Sequence, residues 1–180
     1  MGRVMVGIDA SLEFKPVKIA ILTISDTRTE LTDTSGDILE SKIKLSGHEI
    51  IYRAIKRDTI DGVRNKISNW INDPLVDVII TTGGTGLTGR DITVEAISPM
   101  FDKVIDGFSV IFHQESFKSI GLSTLQSRAC AGLAEGTIIF CLPGSNGAVK
   151  DGWDKVISAQ LDSRHRPCNM IDLMPRFGES

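Results

Sequence analysis

The sequence has no apolar run approaching the ~18 residues that a membrane-spanning helix requires, so no span is expected. Cysteine is scarce: Cys130, Cys141 and Cys168 form an odd set with no C-x-x-C pair. That pattern gives neither a disulfide framework nor zinc-ligand spacing, and it reads as reduced thiols in a cytoplasmic protein. His48, His113 and His165 lie far apart in the chain and suggest no metal cage. No basic block stands out and the formal net charge is -3, which argues against a nucleic-acid partner, since such binding rests on neutralising phosphates with Lys and Arg. Aromatics make up only 6% of the residues, so the core must rest on Ile, Val and Leu.

What is present is enough for one domain: 180 residues, 41% hydrophobic and 24% charged. Residues 1–16 carry Asp9 and Glu13 and no clear cleavage site; they are expected to be a loosely ordered leader rather than a secretory signal. Residues 17–170 are expected to form the single domain and 171–180 a tail.

Strands and helices alternate. Lys18–Ser25 is a short β-rich apolar run, as in a strand buried on both faces. Asp33-Thr34-Ser35-Gly36 offers N-cap chemistry for a helix near Asp37–Leu45, with Gly47 able to end it. His48–Ile55 reads as a second strand. A helix from Asp58-Thr59 to about Trp70 places Ile60, Val63, Ile67, Trp70 and Ile71 on one face. Val76–Thr82 is the third strand. Short helices are expected at Thr93–Met100 and Phe108–Phe117, a hairpin around Glu135-Gly136, and a helix from Pro143-Gly144-Ser145 to about Leu161. This order predicts an α/β fold with a mainly parallel sheet and helices on both faces.

Ligands of such sheets bind beyond the carboxyl ends of the strands. The polar segments leaving that edge are Ser25–Thr27, Arg57-Asp58, Thr82–Asp91 and Pro143–Ser145. The loop Thr82-Gly83-Gly84-Thr85-Gly86 lacks side-chain bulk, so its amides can turn toward one point and form an anion nest; the bland reading is a tight turn. Gly84–Gly89 matches G-x-G-x-x-G, but Arg90, Asp91 and Pro99 leave room for only a short helix, which counts against a dinucleotide site. Arg90-Asp91 stands where a P-loop needs Lys and then Ser or Thr, so that reading fails. Asp91, beside a phosphate site, fits a Mg²⁺ ligand; equally, it fits an N-cap for the helix near Thr93, with Glu95 completing the cap. Asp58 has the same two readings. Ser145 is either a phosphate donor at a helix N-terminus or a plain N-cap. Ser127-Arg128 supplies a candidate anion partner.

Taken together, TTGGTG followed by Arg90-Asp91, Thr93 and Glu95-Ala96 resembles the MoaB/MogA family of molybdopterin-binding proteins. Ile21–Asp26, Asp33–Gly36, Gly107-Phe108 and Leu142–Ser145 support the resemblance, and the segments STLQSRACAG and QLDSRHRPCN look like the MoaB branch. Val94, Asp106 and Asn146 stand where the family commonly has Pro. The resemblance implies a three-layer α/β/α sandwich that assembles as a homotrimer or homohexamer, and works with other proteins of the molybdenum cofactor pathway. It implies binding of molybdopterin and its adenylation with Mg²⁺-ATP, releasing pyrophosphate; the alternative is a non-catalytic carrier or scaffold. Asp58 and Asp91 would be the catalytic, metal-holding acids. Thr82 to Gly86 and Pro143-Gly144-Ser145 would hold the substrates.

Overall fold

A computed structural model describes residues 6–179. Its centre is a six-stranded sheet of β2 (Lys18–Ile24), β3 (Glu49–Lys56), β4 (Val78–Thr82), β5 (Lys103–Val104), β6 (Cys130–Ala134) and β7 (Thr137–Leu142), in the order β3-β2-β4-β7-β6-β5. The first four strands of that order run parallel, while β6 and β5 add antiparallel. A small second sheet pairs β1 (Gly7–Ile8) with β8 (His165–Arg166).

Side chains alternate across β2, and the two sets enter separate cores. Ile19 and Ile21 pack with Leu39 and Ile43 of α1 (Thr34–Leu45) and with Phe108 and Phe112 of α4 (Asp106–Ile120). Ala20, Leu22 and Ile24 pack with Val63, Ile67 and Trp70 of α2 (Ile60–Ile71) and with Ala96 and Ile97 of α3 (Thr93–Ile97). The first core also takes Val149 of α5 (Asn146–Gly152), and the helix continues through a wider turn, Trp153–Ile157, into α6 (Ser158–Gln160). The expected α/β fold with helices on both faces of a mainly parallel sheet is therefore present.

Several boundaries differ from expectation for local reasons. Helix α1 begins at Thr34, because Asp33 caps it by accepting from the Gly36 amide. The hairpin turns on Glu135 and Gly136, both at positive φ, which fits a two-residue loop between twisted strands. The leader was expected to be loosely ordered. Residues 1–5 lie outside the described residues, but the rest is held: β1 pairs with β8, the Lys15 amide donates to Ser163 Oγ at 2.9 Å, and Phe14 packs on His48. The tail likewise contributes Ile171 to the first core. Among the described residues no helix is long and apolar enough to cross a membrane.

Candidate functional site

The parallel strands β2, β3, β4 and β7 end at one rim, and a cleft of about 400 Å³ opens there. Its walls include Asp58, Asp91, Thr82 to Gly86, Pro143 and Gly144, so the four polar segments that leave the strands do converge. Ser145 is the exception: it stands beside the cleft as the N-cap of α5, accepting from the Ala148 amide at 3.2 Å. Its hydroxyl hydrogen is not consumed by that bond.

The glycine loop is shaped first by the chain itself. Gly83 has φ +102°, and a Cβ there would stand 2.2 Å from the Ile24 carbonyl oxygen. Gly84, at φ +64°, would bring a Cβ to 2.4 Å from the Thr93 hydroxyl. The Gly83 amide donates to the Leu142 carbonyl at 3.0 Å, so it is not one of the free donors expected of the nest. Among the described residues the amides of Gly84 and Thr85 have no partner within the protein. Thr82 is buried and donates its hydroxyl to the Pro143 carbonyl at 3.1 Å, tying the end of β4 to the segment that leaves β7.

Neither acid caps a helix. The N-cap of α2 is Thr59 and that of α3 is Ile92, with no side-chain cap bond at either. Glu95 does not complete a cap; its carboxylate pairs with Arg128. Asp91 turns back into the loop, where its Oδ2 accepts from the amide and the hydroxyl of Thr88 at 2.9 and 2.7 Å. Partial burial works to raise the Asp91 carboxyl. Bonds from Thr88 and Gly86, together with the Arg128 charge, outweigh it and hold the group below the ordinary carboxylate value. Asp58 moves the other way, raised by burial and by the negative charge of Asp91. Two carboxylates on one cleft, with Asp58 raised in part by the charge of Asp91, are an arrangement that a cation resolves.

Sequence reasoning missed part of the wall. Arg28 reaches in from the loop after β2 and donates to the Thr34 hydroxyl at 3.1 Å and to the Gly144 carbonyl at 3.4 Å. Its place three residues beyond Ser25 was the available signal. Ser35 enters from the first turn of α1. Gln126 and Ser127 close the far side, and Ser127 Oγ is buried with no partner among the described residues. Nothing in the sequence marks Gln126, because it precedes the antiparallel strand β6 rather than follows a parallel one; Ser127 was named only together with Arg128, and of that pair it is Ser127 that lines the cleft. Arg128 was expected as an anion partner; it lies behind the loop, bonded to carbonyls and to Glu95.

The donor set suits magnesium better than a closed metal site. Among the described residues no group of three or more His, Cys, Asp and Glu could hold a metal ion. Mg²⁺ commonly takes one or two carboxylates and completes its shell with water and substrate phosphates, which two acids on an open cleft allow.

Known proteins resemble this chain along most of its length. Residues 20–163 match the family described as "Probable molybdopterin binding domain". The molybdenum cofactor biosynthesis protein B of Escherichia coli (strain K12) is 46% identical over 159 residues, covering 88% of this chain and 94% of that protein. A crystal structure of a molybdenum cofactor biosynthesis protein B matches at a TM-score of 0.80 and 40% identity, covering 82% of this chain and 92% of that one. The tungsten cofactor synthesizing protein MoaB from Pyrococcus furiosus matches at a TM-score of 0.71 and 35% identity, covering 79% and 91%.

Proposed function

Because the chain belongs to the MoaB/MogA family of molybdopterin-binding domains, we propose that it acts in molybdenum cofactor biosynthesis and joins molybdopterin to the adenylyl group of ATP. The observation that carries this reading is the placement of Asp58 and Asp91 on the cleft that the glycine loop lines. A site that only carried a phosphate ester would gain nothing from two acids beside it.

In the proposed reaction a terminal phosphate oxygen of molybdopterin attacks the α-phosphorus of ATP. A new P–O bond forms, the bond from the α-phosphorus to the bridging oxygen breaks, and pyrophosphate leaves. The chain supplies no covalent nucleophile. The amides of Gly84 and Thr85 and the guanidinium of Arg28 bind and orient phosphate oxygens, and Ser145 donates from the edge of α5. Asp58 and Asp91 would hold Mg²⁺, which when bound offsets charge on the phosphates. Positioning and charge stabilisation then account for the rate.

The proposal extends to assembly and place of work. Val110, Phe117, Ile120, Leu122 and Leu125 are all more than half exposed on and after α4, which supports a homotrimer or homohexamer. Reduced thiols suit the cytoplasm, among other proteins of the pathway. The decisive experiment incubates the chain with molybdopterin, ATP and Mg²⁺ and measures pyrophosphate. Release that requires all three supports adenylyl transfer; pterin binding without release leaves a carrier or scaffold.

A further inference from the structure

One cation is built into the back of the glycine loop. Arg128, just ahead of β6, donates its amide to the Thr85 carbonyl at 2.9 Å, its Nε to the Gly86 carbonyl at 2.8 Å and its Nη2 to the Asp91 carbonyl at 2.9 Å. The outer edge of the guanidinium meets the Glu95 carboxylate on α3. The fork thus joins the two ends of the segment from Gly86 to Asp91 and anchors it to the helix that follows. A lysine could not do this, since it is a point charge without the planar, multidirectional donor set.

The bonds also set peptide planes. In a trans peptide the carbonyl and the following amide point in opposite directions. With the Thr85 carbonyl held by the Arg128 amide, the Gly86 amide is turned away from Arg128, toward the side on which the Asp91 carboxylate packs against Gly86. Asp91 is therefore fixed twice: its main chain by the guanidinium, and its side chain by Thr88, which lies within the segment that the guanidinium closes at Gly86 and Asp91. Arg128 is not part of the cleft wall.

We propose that Arg128 is a positioning residue for the cleft chemistry, holding the Asp91 carboxylate in register with the phosphate-binding amides without touching substrate. The inference rests on the adenylyl-transfer reading above for its kinetic consequence, and on the pair of acids alone for its metal-binding consequence.

The test uses the full chain with Arg128→Ala, Arg128→Lys and Glu95→Gln. Mn²⁺ is titrated by electron paramagnetic resonance with ATP present, and pyrophosphate release is followed separately. Arg128→Ala is expected to weaken Mn²⁺ binding about tenfold, as loss of an outer-shell support does. It is expected to lower kcat on the order of 100-fold while the KM for molybdopterin changes less than about threefold. Guanidinium chloride at millimolar concentration should restore part of both losses. Lysine should restore little, and Glu95→Gln should give a smaller loss in both. Unchanged Mn²⁺ affinity and kcat in Arg128→Ala would overturn the inference, as would a loss confined to KM, which would make Arg128 a substrate-binding cation. If Arg128→Ala fails to fold, Arg128→Lys decides by the same readouts. Wild type that binds Mn²⁺-ATP yet releases no pyrophosphate sinks the adenylyl reading alone, and Mn²⁺ affinity still judges Arg128. Wild type that binds no Mn²⁺ overturns the inference itself.

Discussion

Thr93 donates its hydroxyl to the carbonyl of Gly83 at 2.7 Å in a buried setting, and its amide donates to the Gly84 carbonyl at 2.9 Å. The first residue of α3 thus latches the beginning of the glycine loop, and the excursion from Gly83 to Ile92 becomes a closed ring. Thr93→Val keeps the shape and removes the hydroxyl, leaving a buried carbonyl short of a donor. The expected cost is about 2 kcal/mol, or roughly 4–8 °C in Tm for a domain of this size. Thr93→Ser should recover most of it. Thermal unfolding of the three proteins side by side measures both effects.

The glycines of the loop are unequal, and substitution should rank them. Gly83→Ala combines a left-handed φ with a Cβ driven onto the Ile24 carbonyl, and it should cost more than about 3 kcal/mol or abolish soluble protein. Gly89→Ala meets nothing within 4 Å and should change stability by less than about 0.5 kcal/mol. A dinucleotide motif would need Gly89 for close helix packing, so an intolerant Gly89 would revive that reading. Urea titration of both variants gives the ranking.

The two acids should separate in pH. Asp58 is raised above the ordinary carboxylate value of about 3.9, by burial and by the charge on Asp91, while Asp91 is held below it. As pH falls, Asp58 therefore takes up a proton first. At limiting Mg²⁺ the acid limb of turnover should follow Asp58, at a pH higher than an unperturbed aspartate would give, and saturating Mg²⁺ should move the limb to lower pH. Asp58→Asn should remove that limb and lower turnover about 100-fold. A limb that stays in place in Asp58→Asn would assign it to another group.

Asp33 should govern acid stability. Its side chain has no exposure, and burial works to raise its carboxyl. Bonds from Thr23, Arg53 and the Gly36 amide outweigh burial and leave the folded value depressed. A depressed folded value means stability that is fully present above the unfolded value and lost as pH falls through the folded one. Asp33→Ala should cost about 3 kcal/mol at neutral pH and should flatten the decline below about pH 4. Equilibrium unfolding at pH 7 and at pH 3 tests both parts.

Much of the fold was legible because the signals are local. The apolar runs at Lys18–Ile24 and Val78–Thr82 are buried along nearly their whole length, as residues between two helical layers must be. Thr137–Leu142 and its Glu135-Gly136 turn were legible too, but the arm before the turn was less so, since the strand begins only at Cys130. The strand ends brought Asp58, the glycine loop and Pro143 to one rim, since parallel strands all point their carboxyl ends the same way. The contacts that Gly7, Ile8 and Lys15 make were not legible, because their partners, Ser163, His165 and Arg166, lie some 150 residues along the chain.

By itself the sequence determined periodicity, turn chemistry and which residue types could meet phosphate or magnesium, for these depend on neighbours within a few positions. Only the tertiary structure decided what Asp58 and Asp91 do with their side chains, since a cap and a cleft wall look alike until the helix start is placed. It alone decided that Arg128 braces the loop rather than faces an anion, because hydrogen bonds to carbonyls 37 and 42 residues away leave no trace in local composition. The physical reason is common to both: direction, unlike residue type, is set by the packing of elements distant in the chain.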